Sequence, residues 1–282
     1  MFGFVTGVSR RFRAPAAAAE WIGDDWPVLK RVRRRLLMPL FRIPDTGLLG
    51  LTRLRKHILI CGFPRSGTTL LQLMLENALP QARRFGREVG GWRAATFAWR
   101  NHPLLISKVP HDVFRLDALR NFYVSRPASL RIIMMIRDPR DVLTSQRKDR
   151  GSDQYVVTPH RWLRYYQAVQ RHRHAPDVLE VRYEDLVGAP QRQQERIEGF
   201  LGVQMSIPFC RFHEVDRRDF DISTLNGLRP IEQSPVARWA DDCHRSRIGE
   251  VLAELPALPE AIVELGYAED GSWIAPWCQG AA

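Results

Sequence analysis

Between residues 57 and 79 a short apolar run, a glycine-bounded turn and a segment of helical period follow one another, and this succession constrains the fold more than any other feature of the chain. His57–Gly62 (HILICG) reads as a buried strand, apolar and β-branched and ended by glycine. Thr68–Leu79 places Leu70, Leu71, Met74, Leu75 and Leu79 on one side of a helix. The alternation then continues. Leu104–Lys108, Arg131–Ile136 and Val178–Arg182 read as strands. Asp112–Phe122, Asp138–Arg150, Pro159–His174 and Pro190–Leu201 read as helices, with further helices at Arg245–Leu255 and from Pro259. Asp138 followed by Pro139 has the form of an N-cap and a first-turn proline. Strands separated by helices need crossover connections, so the expected fold is α/β, three-layered, with a central mainly parallel sheet flanked by helices. Residues 203–240 carry scattered charge and proline and read as irregular.

Charge divides the chain in two. Residues 1–56 hold twelve Lys and Arg against four acidic residues, most of the net +11 of the 282-residue chain. The densest stretch is Lys30-Arg31-Val32-Arg33-Arg34-Arg35. Residues 1–50 therefore read as a basic N-terminal extension, and residues 51–282 as the α/β domain. Ala16–Trp21 and Val28–Phe41 are candidate short helices, the second with an apolar cluster at Leu36, Leu37, Leu40 and Phe41. Such a segment is a candidate for peripheral contact with an anionic membrane or an acidic polymer, or for simple packing on the domain; no nucleic-acid partner is expected. No apolar run approaches the roughly 20 residues needed to span a bilayer. The N-terminus runs apolar then basic, the reverse of a secretory signal, so a cytoplasmic chain is expected. Cys61, Cys210, Cys243 and Cys278 form no CxxC pair, and neither a disulfide framework nor a metal centre is expected.

The richest local motif is Cys61-Gly62-Phe63-Pro64-Arg65-Ser66-Gly67-Thr68-Thr69-Leu70. Between a strand and a helix, successive backbone N–H groups converge and the helix terminus adds partial positive charge, which makes a phosphate cradle. Gly67 allows close backbone approach, Thr68 and Thr69 offer hydroxyls, and Arg65 adds a charged fork of N–H groups. The Gly62-to-Gly67 spacing matches a Walker loop, but Thr68 stands where that loop has its lysine. Among later acids only Asp138 is a candidate magnesium ligand, and it also fits a helix cap. A P-loop nucleotide kinase or nucleotide-binding protein is therefore the alternative reading, not the first.

Pro64-Arg65-Ser66-Gly67-Thr68-Thr69 resembles the 5′-phosphosulfate loop of sulfotransferases that use 3′-phosphoadenosine-5′-phosphosulfate (PAPS). Arginine at position 65 is the form seen in tyrosylprotein sulfotransferases and many bacterial relatives. Arg131–Val142 leading to Ser145 resembles the family's 3′-phosphate motif. Ser107–His111, Val181–Leu186 and Arg229-Pro230 with Ala237-Arg238-Trp239 resemble its K-x-P segment, its R-Y-E-D-L strand end and its late cofactor loop. The resemblance spans roughly residues 57–267. It implies the P-loop-type fold and the transfer of a sulfuryl group from PAPS to a hydroxyl acceptor without a metal. It also implies cofactor contacts from Arg65, Ser66, Gly67, Thr68, Thr69, Arg137, Ser145 and Arg229.

An attacking hydroxyl needs a general base. Glu88, in Phe85-Gly86-Arg87-Glu88, resembles the G-x-E segment that carries the base in tyrosylprotein sulfotransferases. His111, three places after Lys108, is the competing candidate. Arg65 is the candidate for stabilising charge on the leaving phosphate, and Lys108 for contacting the moving group. Trp92, Phe97 and Trp99 lie where the acceptor pocket is shaped. A carbohydrate, a tyrosyl peptide, a lipid and a small phenol all remain open as acceptors. A non-catalytic module that binds anionic polymer through the basic arm would need neither phosphate motif.

Overall fold

The computed structural model describes residues 52–96, 101–124, 126–146, 154–215, 220, 228–231 and 236–278. The proposed extension 1–50 and the aromatic candidates Phe97 and Trp99 lie outside these. Five strands are described: β1 Lys56–Gly62, β2 Ala82–Arg83, β3 Leu104–Lys108, β4 Ser129–Ile136 and β5 Val178–Arg182. They form one sheet in the order β2-β3-β1-β4-β5, with every neighbouring pair parallel. The helices are α1 Thr68–Ala78, α2 Gly91–Ala95, α3 Leu116–Tyr123, α4 Pro139–Leu143, α5 Pro159–His172, α6 Tyr183–Gly188, α7 Pro190–Leu201, α8 Arg245–Glu254, α9 Leu258–Glu264 and α10 Ala275–Cys278.

The period-2 alternation of a strand sends successive residues to opposite faces. Ile58 and Ile60 of β1, Leu104 and Ile106 of β3, and Ile133 and Met135 of β4 share one core with Leu71, Met74, Leu75 and Ala78 of α1 and Ile197 and Leu201 of α7. Leu59 faces the other way, against Leu119 of α3; a Cβ on Gly91 would meet both side chains. On that same side Phe63 packs on the fully buried Trp162 of α5, which stacks on Tyr166. Both faces of the sheet are therefore covered, which is why β1 and β4 read as continuous apolar runs.

β1 is central, and the chain leaves it first toward β2 and β3 and later toward β4 and β5. That reversal opens a crevice at the carboxyl ends of β1, β3 and β4, where open α/β sheets bind ligands. Arginines pin the C-terminal helices close by. Arg182 donates to the carbonyls of Leu265 (2.7 Å) and Gly266 (3.1 Å), Arg140 to that of Tyr267 (3.0 Å), and Arg247 to those of Val157 (3.1 Å) and Leu143 (3.3 Å). Part of the basic composition therefore satisfies buried carbonyls instead of meeting a ligand.

Several boundaries differ from expectation. The helix expected over Asp138–Arg150 ends at Leu143; Gln146 instead forms a bridge with Tyr155, and residues 147–150 lie outside the described set. Asp112–Phe122 begins as a 3₁₀ turn, Pro110–Arg115, before becoming α3. β2 is too short to leave a periodic signal, and α6 starts directly at the end of β5 with no loop to mark it. Asp138 caps α4 as expected, its carboxylate accepting from the Arg140 amide at 2.9 Å. Among the described residues no helix is long and apolar enough to cross a membrane.

Candidate active site

The loop after β1 is shaped by three positive φ angles, at Gly62 (127°), Arg65 (61°) and Gly67 (80°). At Gly62 the chain grazes β4. The Phe63 amide donates to the Met135 carbonyl at 2.9 Å, and a Cβ on Gly62 would lie 2.1 Å from that oxygen. At Gly67 a Cβ would lie 2.5 Å from the ring of Tyr183. Glycine is required at both positions on steric grounds. Arg65 holds a left-handed conformation without being glycine, a strained state that persists where the surroundings enforce it. Here its carbonyl accepts from the Arg137 guanidinium at 3.0 Å, and its own Nε donates to Ser145 Oγ at 2.8 Å. Ser66 is fully buried and its hydroxyl donates inward to the Phe63 carbonyl at 2.6 Å, so its side chain braces the loop instead of facing the crevice.

The end of β4 supplies Arg137, and the turn after α4 supplies Ser145. Arg137 stacks over Tyr183, 4.6 Å from the ring centroid, and pairs with the buried Asp141 at 3.5 Å. Burial raises the Tyr183 phenol pKa, and both Arg137 and Arg229 pull it back down, which places Arg229 within electrostatic reach of the same ring. Arg65, Gly67, Arg137 and Ser145 are thus brought to one crevice from three separate parts of the chain.

On the other side of the loop stands Lys108, fully buried at the end of β3. Its ammonium donates to Thr69 Oγ1 at 2.9 Å and pairs with the Glu88 carboxylate. Val89 bridges Lys108 along the backbone, which fixes Glu88 beside it. Glu88 remains largely exposed, so a carboxylate open to solvent is held next to the first turn of α1. Thr68 is buried in that turn. His111 lies on the following 3₁₀ turn. Among the described residues its ring contacts Phe114 and Tyr165, with Nδ1 3.5 Å from the Tyr165 hydroxyl. Burial, with Arg115, Arg164 and Arg161, lowers its pKa and favours the neutral imidazole. Tyr165 also feels the Glu88 charge. Trp92 packs on Phe122 at 4.8 Å. A cleft of about 360 Å³ beyond Glu88 is lined by Arg83, Arg84, Phe85, Arg87, Val89 and Arg93.

Other residues were not singled out by sequence reasoning. Asp141 accepts from the amides of Ala237 and Trp239, each at 2.9 Å. Its position four residues after Arg137, close enough to pair with that guanidinium, was the available signal. Glu184 accepts from the Asp138 amide (3.0 Å) and the Tyr267 hydroxyl (3.1 Å). Asp138 is engaged by its cap and by Arg140 at 2.6 Å, which removes the acid that a magnesium-dependent kinase would need from it. Trp239 packs with Trp273, Trp277 and Arg140. Asp241, Cys243 and His244 bring potential ligand atoms within 4.8 Å of one another at the end of this late segment.

A parallel α/β sheet with a glycine-shaped loop after its central strand, an arginine at the end of the neighbouring strand and an exposed carboxylate beside that loop is the layout of a P-loop-type fold. The family model for the sulfotransferase domain matches residues 55–219, and the chain belongs to that family. It is a sulfotransferase. A Caenorhabditis briggsae protein described as "Putative protein-tyrosine sulfotransferase" is 25% identical over 275 residues, covering 79% of this chain and 92% of that protein. The sulfotransferase domain of the Synechococcus PCC 7002 olefin synthase is 19% identical, with a TM-score of 0.48, over 72% of this chain and 95% of that one. Retinol dehydratase, in a complex with androsterone and inactive cofactor PAP, is 13% identical, with a TM-score of 0.43, over 77% of this chain and 83% of that one.

Proposed function

We propose that the sulfuryl donor is PAPS and that Glu88 is the base that activates the acceptor hydroxyl. The observation that carries this reading is the joining of two cationic stations at adjacent strand ends. Arg65 of the loop donates to Ser145, and Arg137 donates to the carbonyl of Arg65. A donor with phosphate groups at two ends needs two such stations, and charge-assisted bonds at each give both affinity and orientation. The glycine-shaped loop has the backbone approach that a phosphate requires. PAPS supplies a sulfuryl group on a leaving phosphate. The acceptor oxygen forms a bond to sulfur as the bond from sulfur to the phosphate oxygen breaks, and the hydroxyl proton passes to the Glu88 carboxylate. Arg65 and the loop amides stabilise the charge left on the phosphate; arginine keeps its proton and acts electrostatically. Lys108 holds Glu88 in place and reaches the loop through Thr69. His111 is assigned to the wall of the acceptor mouth, against Phe114 and Tyr165.

Tyrosyl peptides are the acceptor class to screen first. The name of the nematode relative supports this choice, as does the arginine-lined cleft beside Glu88, which suits an acceptor bearing negative charge. The basic segment 1–50 is proposed as a separate region that contacts anionic surfaces. The test of the donor is calorimetric titration with PAP in the absence of metal, beside ATP with magnesium. PAP is expected to bind and ATP-magnesium not to; the reverse result would restore the kinase reading. Glu88→Gln is expected to lower kcat by about 10²–10⁴ with PAP affinity kept. An active Glu88→Gln beside an inactive His111→Ala would transfer the role to His111.

A further inference from the structure

The donor reading uses Arg137 but gives no account of Asp141, a deeply buried acid at the crevice. Its side chain is 1% exposed. A carboxylate taken out of water costs several kcal/mol unless its lone pairs are filled. They are filled by three donors from two parts of the chain: Arg137 at 3.5 Å, and the amides of Ala237 and Trp239 at 2.9 Å each. Burial raises its pKa, while the guanidinium and both amides oppose that shift and favour the charged form.

The segment it holds is otherwise unfavourable. Ala237 has φ 57°, a left-handed state that costs a non-glycine residue about 1–2 kcal/mol. That conformation turns two amides, 237 and 239, toward a single carboxylate. Trp239 is fixed from outside by the Arg140 guanidinium, 3.9 Å from its ring centroid, and by Trp273 at 5.7 Å. Tyr183 collects the same charges from below, since Arg137, Asp141 and Arg229 all act on its phenol.

We propose that Asp141 is a positioning residue of the nucleotide site: it aims Arg137 and fastens the 236–240 segment to the same guanidinium, so that Arg137 is held ready for a nucleotide phosphate. This rests on the reading that a nucleotide phosphate lies at Arg137. Without the carboxylate, Arg137 loses its ion pair, and the late segment loses the acceptor that holds its strained turn.

The test is a double-mutant cycle in the full-length chain, read by PAP calorimetry. Arg137→Ala is expected to raise the PAP Kd about tenfold or more, and Asp141→Ala several-fold. The double variant is expected to be no more than about twofold weaker than Arg137→Ala alone, because Asp141 acts through that guanidinium. The KM for PAPS rises in each variant while the KM for the acceptor stays unchanged. Asp141→Asn keeps an oxygen for the amides but no charge for Arg137. It is expected to weaken PAP while the amides of 237 and 239 stay slow to exchange hydrogen, and it replaces Asp141→Ala in the cycle if that variant does not fold. Wild-type-like PAP affinity in folded Asp141→Ala or Asp141→Asn overturns the proposal, as does strict additivity with Arg137→Ala. Absence of PAP binding by the wild type is a different result: it removes the donor reading itself, and this inference with it.

Discussion

The proposed donor site has two stations: at the end of β1, backbone amides held by Gly62, Gly67 and the buried Ser66; at the end of β4, the side chains of Arg137 and Ser145. The first station is part of the folding core. Its shape follows from the Phe63 amide bonding the Met135 carbonyl and from Tyr183 packed on Gly67. The second is assembled by side chains over a short helix, and its parts come from β4, the turn after α4 and the late segment. A site made of backbone cannot be altered without disturbing the fold, whereas one made of side chains can be tuned residue by residue. Stability and affinity should therefore separate between the two.

The largest expected effect tests the backbone station. Gly62→Ala places a Cβ 2.1 Å from the Met135 carbonyl at a φ of 127°, with backbone as the obstacle. A loss of about 4 kcal/mol or more in unfolding free energy is expected in urea, at the upper end for single substitutions. A variant of near-native stability would show that the loop shifts freely and would dissolve the contrast. Next come the two arginines. Arg65→Ala is expected to lower kcat by about 10²–10³ with less effect on PAP binding. Arg137→Ala is expected to raise the PAP Kd, losing about 1.5–3 kcal/mol of charged hydrogen bonding, with kcat at saturating donor nearly kept. Equal losses in both parameters for both variants would merge the stations into one.

The smallest effect concerns His111, outside both stations. Burial and then Arg115 favour its neutral form in the native state. The unfolded chain takes up a proton near pH 6.5, the native chain only below that. The stability that this histidine contributes is therefore complete above about pH 6.5 and is lost as the pH falls through the native value. His111→Asn should flatten the fall of the urea midpoint between about pH 7 and about pH 5. An unchanged slope would assign it to other histidines, such as His172 and His244, whose pKa values are also lowered by burial.

The backbone station was legible in the amino-acid sequence because it is local: strand, glycine turn and helix lie within some twenty consecutive residues. β3, β5 and α7 were read to their ends for the same reason, since burial imposes a period and proline or glycine punctuates it. Arg137, Ser145 and Lys108 were legible through the family resemblance and not through period. What the sequence did not disclose was partnership at long range. Nothing near Asp141 announces that it will bind amides 96 and 98 residues away. Nothing in Ser66 indicates that its hydroxyl turns inward, because the loop curvature that buries it is set by glycines on either side. The early end of α4 was hidden too, since the residues after Leu143 keep helical composition while Ser145 and Gln146 meet Tyr155 and Val156 instead.

The bond between Arg65 and Ser145 closes one station onto the other across the crevice. On the proposed donor reading, a nucleotide that enters exchanges this contact for its own, so the first hydrogen bond it makes to Arg65 is nearly neutral in free energy instead of a full gain. The same contact re-forms when the spent nucleotide leaves. Departure is then eased by a ready replacement, and the enzyme trades some tightness of grip for speed of release, a bargain suited to a catalyst whose product differs from its donor by a single sulfuryl group.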